Sequence, residues 1–209
     1  MTTPVAVDFT AEETADLAAV EGTVVVFVGA DNALSTAGDH LDDLTGGALR
    51  RVIGSDGFKA SAKKNHGIIW PAGMAAEKVL LASLGENPDR EAARRAGGAI
   101  ASALAKGPVT ICTSGVGSAD LISEVVYAIV LRLYNFDAYR KTTAKDEAAR
   151  SIRVTSDNPE ALATASAPFA ALAEGVYFTR DLVNEPANVL NTDEFAARLA
   201  AMGEMGLEV

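Results

Sequence analysis

Any chemistry performed by this 209-residue chain must come from a few short stretches. Asp39-His40-Leu41-Asp42-Asp43 gathers three carboxylates and an imidazole, the oxygen and nitrogen donors of a divalent-metal site. The chain holds only two histidines, and the other, His66, stands apart in the turn-like Asn65-His66-Gly67. The acidic run is therefore read as the solvated start of a helix, and His66 as an exposed or loosely bonded turn residue. Thr113-Ser114-Gly115-Val116-Gly117-Ser118 follows an apolar run and precedes a helical one. In that setting backbone N–H groups and a helix N-terminus can cradle phosphate. Neither phosphate-loop spacing is complete and no lysine follows, so the glycines are read as serving a strand-to-helix turn. Cys112, inside Val109-Thr110-Ile111-Cys112, is read as a small buried hydrophobe. Asn191-Thr192-Asp193-Glu194 also offers oxygen donors. It runs into the amphipathic Phe195-Ala196-Ala197-Arg198, so it is read as a helix cap with acids at the positive end. No Ser/His/Asp or Cys/His set for nucleophilic catalysis emerges. No catalytic, cofactor-binding or metal-ligating residue is assigned in this chain.

The elements around these stretches alternate between strand and helix up to about residue 155, the layout of an α/β sheet covered by helices. Val5-Ala6-Val7 reads as a short strand. Thr23 to Val28 is a β-branched run, expected to be a central strand buried on both faces. Leu41 to Val52 reads as one helix weakened at Gly46-Gly47. Phe58 to Trp70 reads as two short strands around a turn at Asn65-His66-Gly67. Val79 to Ala82 and Val109 to Cys112 are further strands. Between them a helix with Asn87 as cap and Pro88 at its first position runs to about Ala105. Its small residues, Gly97-Gly98 included, imply close approach to the sheet.

Ser118 caps the clearest helix, whose Leu121, Ile122, Val125, Val126, Ile129, Val130 and Leu133 recur at helical spacing. Lys141 to Arg150 is polar and reads as an exposed loop, and Ser151 to Thr155 as a last strand. Beyond Asn158 the pattern is helical alone. Pro159 to Asn184 is expected to break or kink at Pro168, with Phe169, Leu172, Val176 and Leu182 facing the core. A second helix runs from Asn191 or Thr192 to about Met202. Gly206-Leu207-Glu208-Val209 reads as a turn entering a strand, which makes the chain look like a truncated piece.

Composition excludes some functions. The net charge of −10 repels phosphate backbones and anionic membranes, and no basic stripe offsets it. The first sixteen residues carry four acids and no base, unlike a targeting peptide. No apolar run is expected to approach the ~20 residues of a membrane span. One cysteine precludes an internal disulfide. A cytoplasmic protein with no nucleic-acid or membrane partner is expected.

One motif is more specific than any of these. Arg180-Asp181-Leu182-Val183-Asn184-Glu185-Pro186-Ala187-Asn188-Val189-Leu190 resembles the signature that opens the catalytic half of leucyl aminopeptidases. Lys78 to Gly85 resembles a strand-and-turn element of the same family. Arg94-Arg95-Ala96-Gly97 resembles a helix segment of it, and Tyr134-Asn135-Phe136-Asp137-Ala138-Tyr139 an element closing a long helix. The resemblance implies an amino-terminal macro-domain-like α/β domain, a mixed sheet flanked by helices, over residues 1–157. It implies a connecting helix and loop over 158–190, and the truncated start of a catalytic domain over 191–209.

In that family the missing half supplies a Lys, three Asp and a Glu to two divalent metals, zinc or manganese, which activate water and polarise the peptide carbonyl. None of those ligands maps onto this chain. Asn191-Thr192-Asp193 only mimics the start of a family metal motif, because Glu194-Phe195 replaces the Ala-Glu-Gly-Arg-Leu that should follow. The implied role is a non-catalytic assembly domain that partners its own catalytic domain within a homo-oligomer, a hexamer in the intact family. Two alternatives remain open: a macro-domain-like module binding ADP-ribose or a related nucleotide through Thr113–Ser118, and a fragment that docks onto a separately encoded catalytic domain.

Overall fold

The computed structural model describes residues 2–139 and 151–208. At its centre lies β2 (Thr23–Phe27), with every residue buried. A run of β-branched residues prefers extended backbone, and its two apolar faces both need cover. The six-stranded sheet runs β1-β6-β5-β2-β4-β3, with β1 Val7–Ala11, β3 His66–Ile69, β4 Lys78–Ala82, β5 Val109–Cys112 and β6 Ile152–Ser156. Five strands are parallel; β3 runs antiparallel to β4 at one edge. Register places Val25 opposite Leu80 on one side and Ile111 on the other.

Side chains alternate across this sheet. Val25, Phe27, Leu80 and Ile111 meet Ile100 of α3 (Arg90–Ala103) and Ile122, Val125 and Ile129 of α4 (Ala119–Arg132). Val24, Val26, Leu81 and Cys112 meet Leu41 of α1 (Thr36–Leu44), Leu49 of α2 (Ala48–Ile53) and Leu17. Each such side chain removed from water contributes about 1.5–3 kcal/mol. The α/β sheet flanked by helices is thus the expected class.

Several details differ from the sequence reading. The first strand lies at Val7–Ala11, later than Val5–Val7, because pairing with β6 sets its register. The single helix expected over 41–52 is two, broken where Gly46 and Gly47 both take positive φ (64° and 81°), a conformation glycine adopts at no steric cost. Only one strand forms in 58–70, so His66 lies in β3 and the tight bridge falls at Ser61 and Lys64. The cap of α3 is Asp89, whose carboxylate accepts from the Ala92 N–H at 2.7 Å; Asn87 is not the cap. Gly97 faces a helix, not the sheet: a Cβ there would lie 2.3 Å from the Val125 carbonyl oxygen of α4. The expected loop Lys141–Arg150 lies outside the described residues.

Beyond β6, Asn158 caps α5 (Pro159–Asn184), a helix that runs unbroken through Pro168. Pro168 and Thr164, four residues earlier, are both exposed, so water can satisfy the carbonyl that proline leaves without a donor. The buried line of α5 is Leu162, Ser166, Ala173, Tyr177 and Asp181, while Leu172 is exposed. Tyr127 and Val130 of α4 pack on Ala173 and Tyr177. By length and composition α5 could cross a membrane, which corrects the expectation that no segment could. The helix α6 (Thr192–Ala200) follows and continues into a 3-10 turn over Ala201–Met205. Gly206 then turns with positive φ, and no strand follows through residue 208.

Candidate functional site

The signature segment begins inside the last turns of α5, where a polar cluster anchors it to the end of α4. Asp181, 2% exposed, accepts the Tyr134 hydroxyl at 2.9 Å and the Thr2 amide at 2.5 Å. Burial alone would raise this carboxyl, yet the hydrogen bonds from Thr2 and Tyr134 hold it below the usual range. Burial and the bond to Asp181 push the Tyr134 phenol up. Near neutral pH the pair is therefore a fixed donor and acceptor, and neither group is poised as a general base. Arg180 donates to the Leu131 carbonyl at 2.6 Å and lies over the Tyr134 ring at 5.4 Å. Asn184 donates both to the Tyr134 oxygen (3.1 Å) and to the Arg180 carbonyl (2.8 Å). Tyr177 meets Tyr134 edge-on at 5.0 Å and donates to the Val130 carbonyl at 2.6 Å; burial pushes its phenol up to about 12.

The loop that follows is clasped to α6. Glu185 accepts the Tyr139 hydroxyl and lies 3.5 Å from Arg198, which also bonds Glu194 at 2.9 Å. The bond to Glu185 raises the Tyr139 phenol, and the bond to Glu194 raises the Arg198 guanidinium. Asn191 accepts from the Glu194 N–H at 2.9 Å and so is the helix cap. Arg180, Asp181, Asn184 and Glu185 therefore position a helix end and a loop.

The other candidates are spread across the molecule. In Thr113–Ser118 two amides bond carboxylates, Ser114 N–H to Glu12 at 3.3 Å and Gly115 N–H to Asp157 at 3.1 Å, while Thr113 and Val116 N–H bond backbone carbonyls. Ser118 caps α4 by accepting from Leu121 at 3.3 Å. A cleft of about 280 Å³ beside this loop is lined by Gly29, Asp31, Leu84, Gly85, Gly115 and Val116. Its one charge is negative and its loop amides already bind carboxylates, a setting hostile to phosphate.

Asp42 is buried. Its carboxylate accepts from the Arg50 N–H at 3.0 Å and so caps α2, whose own cap residue, Gly47, has no side chain to offer. Asp39 pairs with Arg50 at 2.5 Å. His66 lies in β3, not in a turn; its ring is 4.7 Å from that of Phe58, and Nε2 is buried with no bond to a described residue, loosely bonded as expected. Cys112 is fully buried and its thiol is pushed up to about 12, chiefly by that burial. Two polar anchors escaped the sequence reading, Asp181 with Tyr134 and Glu124 with Arg94 at 2.6 Å. Their signal was a carboxylate on the apolar face of an amphipathic helix, where it needs a partner.

A mixed α/β sheet with a long helix leading to a polar clasp has clear relatives. Residues 25–143 match the model of the cytosol aminopeptidase family, N-terminal domain. Probable cytosol aminopeptidases of Cereibacter sphaeroides and Dinoroseobacter shibae are 41% and 40% identical over the whole chain, which covers 42% of each. Among solved structures, a tomato leucine aminopeptidase mutant superposes with a TM-score of 0.76 at 16% identity over 98% of this chain and 43% of its own. The bottromycin maturation enzyme BotP in complex with Mn gives 0.62 at 25% identity, over 88% of this chain and 36% of its own. The chain belongs to the cytosol aminopeptidase family and is its amino-terminal domain. It spans less than half the length of the relatives it matches.

Proposed function

We propose that this chain is the non-catalytic assembly and orientation domain of a two-metal cytosol aminopeptidase that removes N-terminal residues from peptides. Residues 1–157 form the α/β body, 158–190 the connecting helix and loop, and 191–209 the first part of the catalytic domain. The observation that carries this reading is the anchoring of the family signature. Arg180, Asp181 and Asn184 bind Tyr134 and the end of α4, so the chain leaves the body in a set direction. Val183 is 81% exposed and Phe195 42%, apolar surface suited to packing against the catalytic part.

The two ions, zinc or manganese, would be held by residues outside this chain and would supply an activated hydroxide. Support for manganese is the BotP relative, solved with Mn. A cytoplasmic location fits the names of the relatives, and homo-oligomeric assembly belongs to the same reading. The test is incubation of the pure chain with a leucine chromogenic amide and manganese. No turnover is expected, and metal-dependent turnover would refute the reading.

A further inference from the structure

An arginine-lined groove opens on the outer face of the helical layer, where α3, α4 and the end of α5 meet. It encloses about 550 Å³ and is walled by Arg94, Arg132, Arg180, Tyr127, Tyr134 and Leu131. We propose that it is a docking site for an acidic peptide segment of a partner protein. Acids outnumber bases 28 to 18 in this chain, yet three guanidiniums line the groove and no carboxylate does.

The guanidiniums are held in place. Arg94 bonds the buried Glu124 through Nε at 2.6 Å and lies over the Tyr127 ring at 5.9 Å. Arg180 spends one Nη on the Leu131 carbonyl and lies over Tyr134. Arg132 contacts Ser102 through Nε at 3.4 Å. Each arginine carries five N–H donors and uses few of them here, leaving forks that match carboxylates. Gly98 and Ala128 form a floor without bulk, so a peptide backbone can approach between the arginines. Glu124 and Asp181 do not cancel this charge outright: the first is buried and shared between Arg94 and Arg90 (3.8 Å), the second is buried behind Tyr134.

The overall negative charge opposes long nucleic acids more than short acidic segments. Screening over about 8 Å at physiological salt leaves the local arginines in control of a short ligand. Arginine also recognises carboxylates beside aromatic rims without requiring a phosphate.

The experiment is anisotropy of fluorescein-labelled hexaglutamate titrated with the chain. Saturable binding is expected, weakening about tenfold or more in Arg132→Glu and also on raising salt from roughly 50 to roughly 300 mM. Arg51→Glu makes the same charge change away from the groove and should bind like the parent. Amide shifts on binding should centre on residues 94, 98, 128 and 131. Absence of saturable binding, equal weakening by both variants, or stronger binding to an oligothymidylate would overturn the proposal. Arg132 is exposed, and a circular-dichroism melt confirms that its variant is folded before comparison.

Discussion

In the α/β body, Val24, Val25, Leu80 and Ile111 are pressed between helices with 1% exposure or less. In the connecting segment, α6 buries no residue and is tied back through Arg198, Glu185 and Tyr139. The body is held mainly by non-directional burial, which ionic screening does not weaken. The segment is held by directed polar bonds that specify an angle more than they add stability. Between the two lies Asp181, a buried polar anchor. The proposed role, presenting another part of a protein in a set direction, has use for both kinds of contact.

Four substitutions probe this contrast. Gly97→Val should have the largest effect, destabilising the body by about 3 kcal/mol or more, because its Cβ would strike the Val125 carbonyl of α4. Gly98→Ala, with nothing within 4 Å of its added carbon, should instead gain about 0.5–1 kcal/mol. Urea unfolding of both variants checks the pair, and equal losses would mean that helix packing is not the constraint.

Asp181→Ala should cost about 2–3 kcal/mol by removing a buried acceptor of two hydrogen bonds. Because the folded carboxyl lies below its ordinary value of 3.8, the stability it adds is full above that value and fades as pH falls through the folded pKa. Thermal melts against pH should show an acid-sensitive component in the parent that the variant lacks. Identical profiles would remove Asp181 as the anchor.

Arg198→Ala should have the smallest effect. Hydrogen exchange should rise in α6 and leave β2 and β4 unchanged, and high salt should reproduce the result in the parent. Global destabilisation would show that the two regions are not separable.

Thr23–Phe27, Val79–Ala82 and Val109–Cys112 were legible as buried strands, and the heptad-like face of α4 as a core helix, since local periodicity encodes which face meets the core. The signature Arg180–Leu190 was legible as a family mark, and Asn191 as a cap. His66 was not, because Asn-His-Gly is equally a turn and the start of an edge strand until β4 offers its partners. Nor was the break at Gly46-Gly47, which is settled by Asp42 reaching forward to cap α2.

The central strand runs, the core face of α4 and the family were thus determined by the amino-acid sequence alone, because side-chain spacing and a contiguous motif are properties of neighbours along the chain. The tertiary structure decided how the charged residues are used. Glu12 and Asp157 take two amides of the strand-to-helix turn at Thr113–Ser118, and Asp181 finds Tyr134 and Thr2 from 47 and 179 positions away. Arg94, Arg132 and Arg180, scattered over three helices, come together in one groove. Such pairings depend on distances across packed elements, which no local spacing encodes.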